Sequence, residues 1–226
     1  MSLKLYFHPF ASFCQKVLIA LYENDTTFEP VLVNLGDPAS RAELERIWPR
    51  GQFPVLRDES TRQTVPESSL IIEYLHLHYP GRTALLPADP KQALSVRLWD
   101  RFYDLHVDVP MQKVVTDNLR PEGRNDPFGV ADAAQQLRIA CGIIDREFAS
   151  THRTWAAGDT FTMADCAAAP ALYYVNLIMP LAADYRHAAA YFNRLMERPS
   201  FVRVLEEARP YLEFFPMRGR TISSSS

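Results

Sequence analysis

The sequence predicts an α/β domain followed by an all-α helical bundle, on three observations. Residues 3–33 read as strand, helix, strand, with alternating apolar residues giving way to helical spacing and then returning. Next comes a short strand bearing a proline, Gly51-Gln52-Phe53-Pro54-Val55-Leu56, and then Glu67-Ser68-Ser69 opening an apolar helix. Beyond residue 90 no strand pattern returns, and apolar residues recur every three or four positions.

Leu3, Leu5 and Phe7 alternate with Lys4 and Tyr6, the period of a half-buried strand, until His8-Pro9-Phe10 breaks it. Ser12 is placed to cap the next helix, whose Val17, Leu18 and Leu21 share one face. Asn24-Asp25 stops that helix, and Phe28 to Val33 is the second strand, so the βαβ start predicts a parallel pair. A short helix from Ala39 to Ile47 follows, ending at Trp48-Pro49-Arg50-Gly51. Strands from Val55 to Arg57 and Gln63 to Val65 flank the polar turn Asp58 to Thr61. The helix from Glu67 to about His78 closes the unit at Tyr79-Pro80-Gly81. The expected division is an α/β domain over 1–80, a proline-rich linker over 81–90, an all-α domain over 91–214 and a tail over 215–226.

In the helical half, Leu94, Leu98, Phe102, Leu105 and Val109 mark one apolar face, and Pro110 is expected to kink or break the helix. After the loop from Pro121 to Pro127, a second face is marked by Val130, Ala134, Leu137, Cys141, Ile144 and Phe148. Thr162-Met163-Ala164-Asp165 has capping-box spacing with Asp165 in the place of the usual Glu, and Phe161 and Cys166 are set as a hydrophobic staple. The helix beyond, Cys166 to Leu181, is apolar almost all round and is expected to run through the bundle core. The role read for Thr162 and Asp165 is structural. The terminal stretch from Thr221 to Ser226 reads as a loose polar tail.

Bulk properties narrow the function. With 226 residues and a net charge of −3, the chain has no electrostatic case for nucleic acid or an anionic membrane. No apolar run approaches the roughly 20 residues of a membrane helix, and the N-terminus has no signal-peptide profile. Cys14, Cys141 and Cys166 are odd in number and far apart, with no C-x-x-C and no metal spacing. The reading is a cytoplasmic, reducing location and no metal.

A proline at the entrance of a short strand suits a cis X-Pro bond, which frees the Phe53 amide and carbonyl for an extended peptide ligand. Free amides and serine hydroxyls at a helix start make a carboxylate site. Together they point to a small anionic peptide.

These motifs resemble the cytosolic glutathione transferase family, and the resemblance extends over nearly the whole chain. It implies a thioredoxin-like N-terminal domain with Pro54 as the cis proline, and Glu67 and Ser68 at the γ-glutamyl end of glutathione. Gln52 is implied at the glycyl end or backbone, and Phe53 against the cysteinyl part through its main chain. The Thr162 to Asp165 box is similar to the capping motif of the family's central helix. The implied activity is attack of the glutathione thiolate on a small hydrophobic electrophile, with glutathione as co-substrate and detoxification as its setting. A homodimer is implied too, with an acidic residue such as Asp100 or Asp104 completing the site across the interface.

A thiol with a pKa of roughly 8.5 is mostly protonated at neutral pH, so the site must stabilise its anion. A hydroxyl, backbone amides or a helix N-terminus can do so. In serine- and cysteine-type relatives the activating residue falls at the position of Ala11, which has no donor. The catalytic candidates are therefore Ser12, whose other role would be the helix cap, and Tyr6, whose other role would be strand packing. Backbone amides alone are a further possibility. Ala11-Ser12-Phe13-Cys14 is similar to a glutaredoxin-type site that keeps only its second cysteine, so dithiol exchange is excluded and Cys14 reads as a buried helix residue. Phe10, Tyr103, His106 and Met111 are candidates for an electrophile pocket between the domains. Two other functions stay open: a non-catalytic binding or regulatory protein, for which Ala11 speaks, and a glutathione-dependent isomerase or peroxidase.

Overall fold

β1 (Leu3–Phe7), α1 (Ser12–Glu23), β2 (Glu29–Leu32), α2 (Pro38–Ile47), β3 (Val55–Asp58), β4 (Gln63–Pro66) and α3 (Ser68–His78) follow in the expected order. The structure is a computed structural model describing residues 2–151, 153–217 and 221–222. The strands form one sheet ordered β2-β1-β3-β4, with β1 parallel to β2 and the β1/β3 and β3/β4 pairs antiparallel. Alternation along β1 sorts its side chains by face. Leu3, Leu5 and Phe7 join the main core with α1 and α3, while Tyr6 packs with Val33, Leu44 and Val55 on the α2 side.

Ser12 is not the cap of α1. Ala11 holds the N-cap position in extended conformation without a side-chain bond, and Ser12 is the first helical residue. The turn closed by the Ala11 amide on the His8 carbonyl (3.1 Å) brings the chain into the helix one residue early. That frees the Ser12 hydroxyl for a distant partner.

The thioredoxin-like half leads into a helical half: α4 (Pro90–Phe102), a π-helical turn (Tyr103–Asp108), α5 (Val109–Asp117), α6 (Pro127–Thr151), α7 (Met163–Ile178), α8 (Leu181–Asp184), α9 (Arg186–Met196), α10 (Pro199–Ala208) and a 3₁₀ turn (Arg209–Phe214). Pro110 does not break the chain's course there. The π turn ends at Asp108, and Pro110 sits in the first turn of α5, which continues directly from it.

The apolar row Leu94, Leu98, Leu105 and Val109 is exposed, and the buried row is Ala93, Val96, Trp99, Tyr103, Val107 and Met111. The helix is apolar on two sides, and packing against α7 selects the side carrying the aromatics. Along α6, Ala134, Leu137, Cys141, Ile144 and Phe148 are buried as expected. α7 runs through the core, ending at Ile178 rather than Leu181 because Pro180 cannot continue it. The capping box at its start is present. The Asp165 carboxylate accepts the Thr162 amide (2.9 Å), the Ala156 amide (2.8 Å) and the Tyr191 hydroxyl (2.6 Å).

One apolar core spans both halves, because α1 packs between the sheet and α7 and α10. At the far end of α1, the Arg198 guanidinium donates to the Glu23 carboxylate at 2.8 and 2.6 Å. Near the C-terminus Phe215 and Met217 are buried, and the Ile222 amide, within the stretch expected to be loose, donates to the Ile178 carbonyl (2.7 Å). Residues 218–220 and 223–226 of the expected tail lie outside the described residues.

Candidate active site

A cavity of about 1060 Å³ opens between the thioredoxin-like half and the face formed by α4, the π turn and α5. From the first half, residues 10–13, residues 51–54 and the start of α3 reach it, together with Leu35 and Trp48. Phe214 and Phe215 close one side.

The Phe53–Pro54 bond is cis. Among the described residues, neither the amide nor the carbonyl of Phe53 takes part in a backbone hydrogen bond. Gln52 is exposed at the cavity edge, where its side-chain oxygen accepts from Arg50 Nε (3.0 Å). β4 then turns into α3 at Glu67, the N-cap, whose φ of 68° lies in the left-handed region. A non-glycine residue there costs of order 1–3 kcal/mol, and such strain clusters at ligand sites. The turn leaves the amides of Ser68 and Ser69 without acceptors among the described residues, at a helix end that favours anions.

A buried charge network stands behind that helix start. Lys16 is 1% exposed. Its Nζ donates to Ser69 Oγ (2.9 Å) and Asp104 Oδ2 (2.7 Å), and lies 2.7 Å from Asp100 Oδ1. Ser69 in turn donates to Asp100 Oδ2 (2.6 Å). Burial would lower the Lys16 pKa, but the Asp104 and Asp100 carboxylates outweigh it and hold the ammonium charged. For Asp100, burial and the Asp104 charge outweigh the pull of Lys16 and raise the carboxyl above its usual range. These two carboxylates accept from their own chain's Lys16 and Ser69, and both also line the cavity.

Ser12 lines the cavity at the N-terminus of α1. Its hydroxyl donates to Asp108 Oδ2 (2.9 Å), and Gln112 Nε2 donates to both Asp108 Oδ2 (2.8 Å) and Ser12 Oγ (3.2 Å). The preceding loop is braced: Gln15 Nε2 donates to the Pro9 carbonyl (2.9 Å), and the Tyr174 hydroxyl to that of Phe10 (2.8 Å).

Of the expected site residues, Phe10, Ser12, Gln52, Phe53, Pro54, Glu67, Ser68 and Met111 come together around this cavity. Three others do not. Tyr6 faces the α2 side of the sheet, because alternation along β1 turns it away. Tyr103 is fully buried in the core, and His106 is exposed, ring against Phe102. The change of helical pitch through the π turn places both outside the cavity lining.

The residues missed were Lys16, Asp108, Gln112, Phe214 and Phe215. Part of that group had a signal. A lysine stands inside the apolar run of α1, and Asp100, Asp104 and Asp108 recur at four-residue intervals on an otherwise core-facing stretch. A charge on a buried face calls for a partner.

The arrangement can hold an extended peptide by main-chain bonds at Phe53 and a carboxylate at the start of α3. An anion fits at the start of α1, where the helix end and a hydroxyl meet. Residues 5–83 match the family model described as glutathione S-transferase, N-terminal domain, and residues 125–199 that of the C-terminal domain. Among curated relatives, glutathione S-transferase F13 of Arabidopsis thaliana is 28% identical, over 90% of this chain and 95% of its own length. A glutathione S-transferase of Pseudomonas putida is 25% identical, over 94% and 96%. Among solved structures, a glutathione S-transferase from Methylobacillus flagellatus with GSH bound has a TM-score of 0.81 at 26% identity, covering 90% of this chain and 98% of that one. Another, from Methylobacterium radiotolerans in complex with glutathione sulfonate, has a TM-score of 0.77 at 25% identity, covering 99% of both. Both domain matches, in order and on the fold described, place this chain in the glutathione S-transferase family.

Proposed function

We propose that the chain is a glutathione S-transferase that binds glutathione in the cavity and directs its thiolate at a small hydrophobic electrophile. The observation behind this is one cavity bringing together the free Phe53 edge, the α3 helix start and Ser12 at the α1 start. Phe53 holds the cysteinyl main chain, the amides of Ser68 and Ser69 with Glu67 hold the γ-glutamyl end, and Gln52 stands at the glycyl end. The electrophile lies against Phe10, Met111, Phe214 and Phe215. The glutathione domain is residues 1–80, and the electrophile domain residues 91–214. Three unpaired, buried cysteines support a reducing, cytoplasmic setting, and detoxification is the physiological use.

Calorimetry tests binding, and turnover of a generic electrophile tests catalysis. The parent protein should bind glutathione, and Glu67→Ala should weaken it about tenfold, the loss of one hydrogen bond to a charged group. Ser12→Ala should lower kcat/KM at neutral pH by roughly 10- to 150-fold, with Tyr6→Phe nearly silent. No binding heat at millimolar glutathione would remove the proposal.

A homodimer is proposed from the exposed apolar rows. Leu70 and Leu77 on α3 are 54% and 71% exposed, and Leu94 and Leu98 on α4 are 68% and 63% exposed. Glu73 lies in the α3 row and Arg97 in the α4 row at helical spacing, and the Arg97 guanidinium donates to the Glu73 carboxylate at 2.9 and 2.7 Å. The ion pair so brings both rows onto one surface beside the cavity mouth, an apolar patch of the kind that marks an interface. Light scattering should return twice the 25.8 kDa chain mass, and Leu98→Glu should shift it toward monomer. A monomer mass for the parent at all concentrations would refute it.

A further inference from the structure

We infer that Asp108 is a positioning residue that accepts the glutathione thiol proton through Ser12. This rests on the proposed binding of glutathione with its sulfur at Ser12. Asp108 closes the π turn directly behind Ser12, is 2% exposed and does not line the cavity. Its Oδ2 accepts the Ser12 hydroxyl and the Gln112 amide, while its Oδ1 is buried with no partner among the described residues. A serine on the cavity wall thus connects the ligand space to a carboxylate that the ligand cannot touch.

The surroundings make that carboxylate a proton acceptor near neutral pH. Burial pushes its pKa up to about 7, against the pull of the Ser12 and Gln112 bonds. From its own turn Asp104 adds negative charge, and from α1 Lys16 offsets part of it. Lys16 is already spent on Asp100 and Asp104, and among the described residues no cation is paired with Asp108. From α7 the Tyr174 hydroxyl faces the same region, but it donates to the Phe10 carbonyl, and burial holds its pKa far above the working range. A mere anchor for Ser12 would gain nothing from an ionisable group with one oxygen unsatisfied, since an unpaired buried carboxylate is expensive.

The step balances without a co-reactant. The glutathione S–H bond breaks as its proton passes to Ser12 Oγ, and the original Oγ–H proton passes to Asp108 Oδ2. The products are a thiolate that accepts a hydrogen bond from Ser12 and a neutral carboxylic acid that donates to Ser12 Oγ. One negative charge has moved from Asp108 to sulfur.

Two readouts test this in the whole protein, with glutathione as the probe. Binding calorimetry at pH 8 in buffers of different ionisation enthalpy counts the protons released. The parent, with Asp108 mostly ionised and the free thiol about three-quarters protonated beforehand, should release no proton and take up roughly 0.15, and Asp108→Asn should release about 0.75. Ultraviolet titration of the bound thiolate should show two steps in the parent, because the second ionisation makes sulfur and Asp108 compete for one hydroxyl hydrogen. The Asn variant should show one step. Full proton release by the parent, or a single step, would overturn the inference whatever the variant does. If the parent binds glutathione as thiolate but releases the whole proton, only this inference falls; if glutathione does not bind, the proposed function falls with it.

Discussion

Replacing Lys16 by methionine should cost the fold about 3–5 kcal/mol, the penalty for removing one partner of a buried charge cluster. Methionine matches the length of the lysine stem, so the loss is electrostatic rather than a cavity. Asp100 and Asp104 would then face each other with no cation, both buried, and Ser69 would lose a donor. Urea denaturation at pH 7.5 measures it, with the midpoint falling by at least about 1 M given slopes of 1–3 kcal/mol per M. The sign with pH is defined. Without Lys16 the Asp100 carboxyl pKa rises further above its unfolded value, so the folded state binds more protons than the unfolded one. The variant should recover stability as pH falls from 7 toward 5. A loss under 1 kcal/mol would show that the network does not hold the helix interface together. The same variant should weaken glutathione binding, because Ser69 belongs both to this network and to the first turn of α3.

Asp165→Ala should be at least as damaging, at about 3–6 kcal/mol. Asp165 is fully buried, and its carboxylate is the acceptor for two amides and one hydroxyl, those of Ala156, Thr162 and Tyr191. Each buried donor left without a partner costs about 1–3 kcal/mol, and partial relaxation keeps the sum in the lower part of that range. Burial raises the Asp165 pKa in spite of these donors, so part of the carboxylate's benefit is already offset. Asp165→Asn should lose less than Asp165→Ala, since its side-chain oxygen can still accept. Thermal melting of both variants gives the comparison. Equal melting temperatures for Asp165→Ala and the parent would mean that α7 does not need its cap. The affected helix packs on α1, α4 and the π turn, so a folded remnant should lose glutathione turnover together with stability.

Much of this architecture was legible locally. The strand and helix periods gave the element order of the first half and, in the second, the helices as far as Leu181. The Pro54 strand and the Glu67-Ser68-Ser69 helix start gave the ligand edge, and Thr162 to Asp165 gave the cap of the central helix. Each of these signals sits within a few residues, where backbone chemistry and side-chain spacing act directly. The tertiary structure decided what depends on partners far along the chain. α4 has two apolar rows, and only its docking on α7 buries Val96 and Trp99 while leaving Leu94 and Leu98 outside. Ser12 and Lys16, one turn apart on α1, meet Asp108 and Asp104, about 90 residues distant, because buried polar groups must find partners wherever packing brings them. Tyr6 was removed from the site by the sheet's own alternation once β3 fixed which face turns toward α1. The residue types carried the chemistry in the sequence itself; which of them share one cavity was set by how the two halves pack across α1.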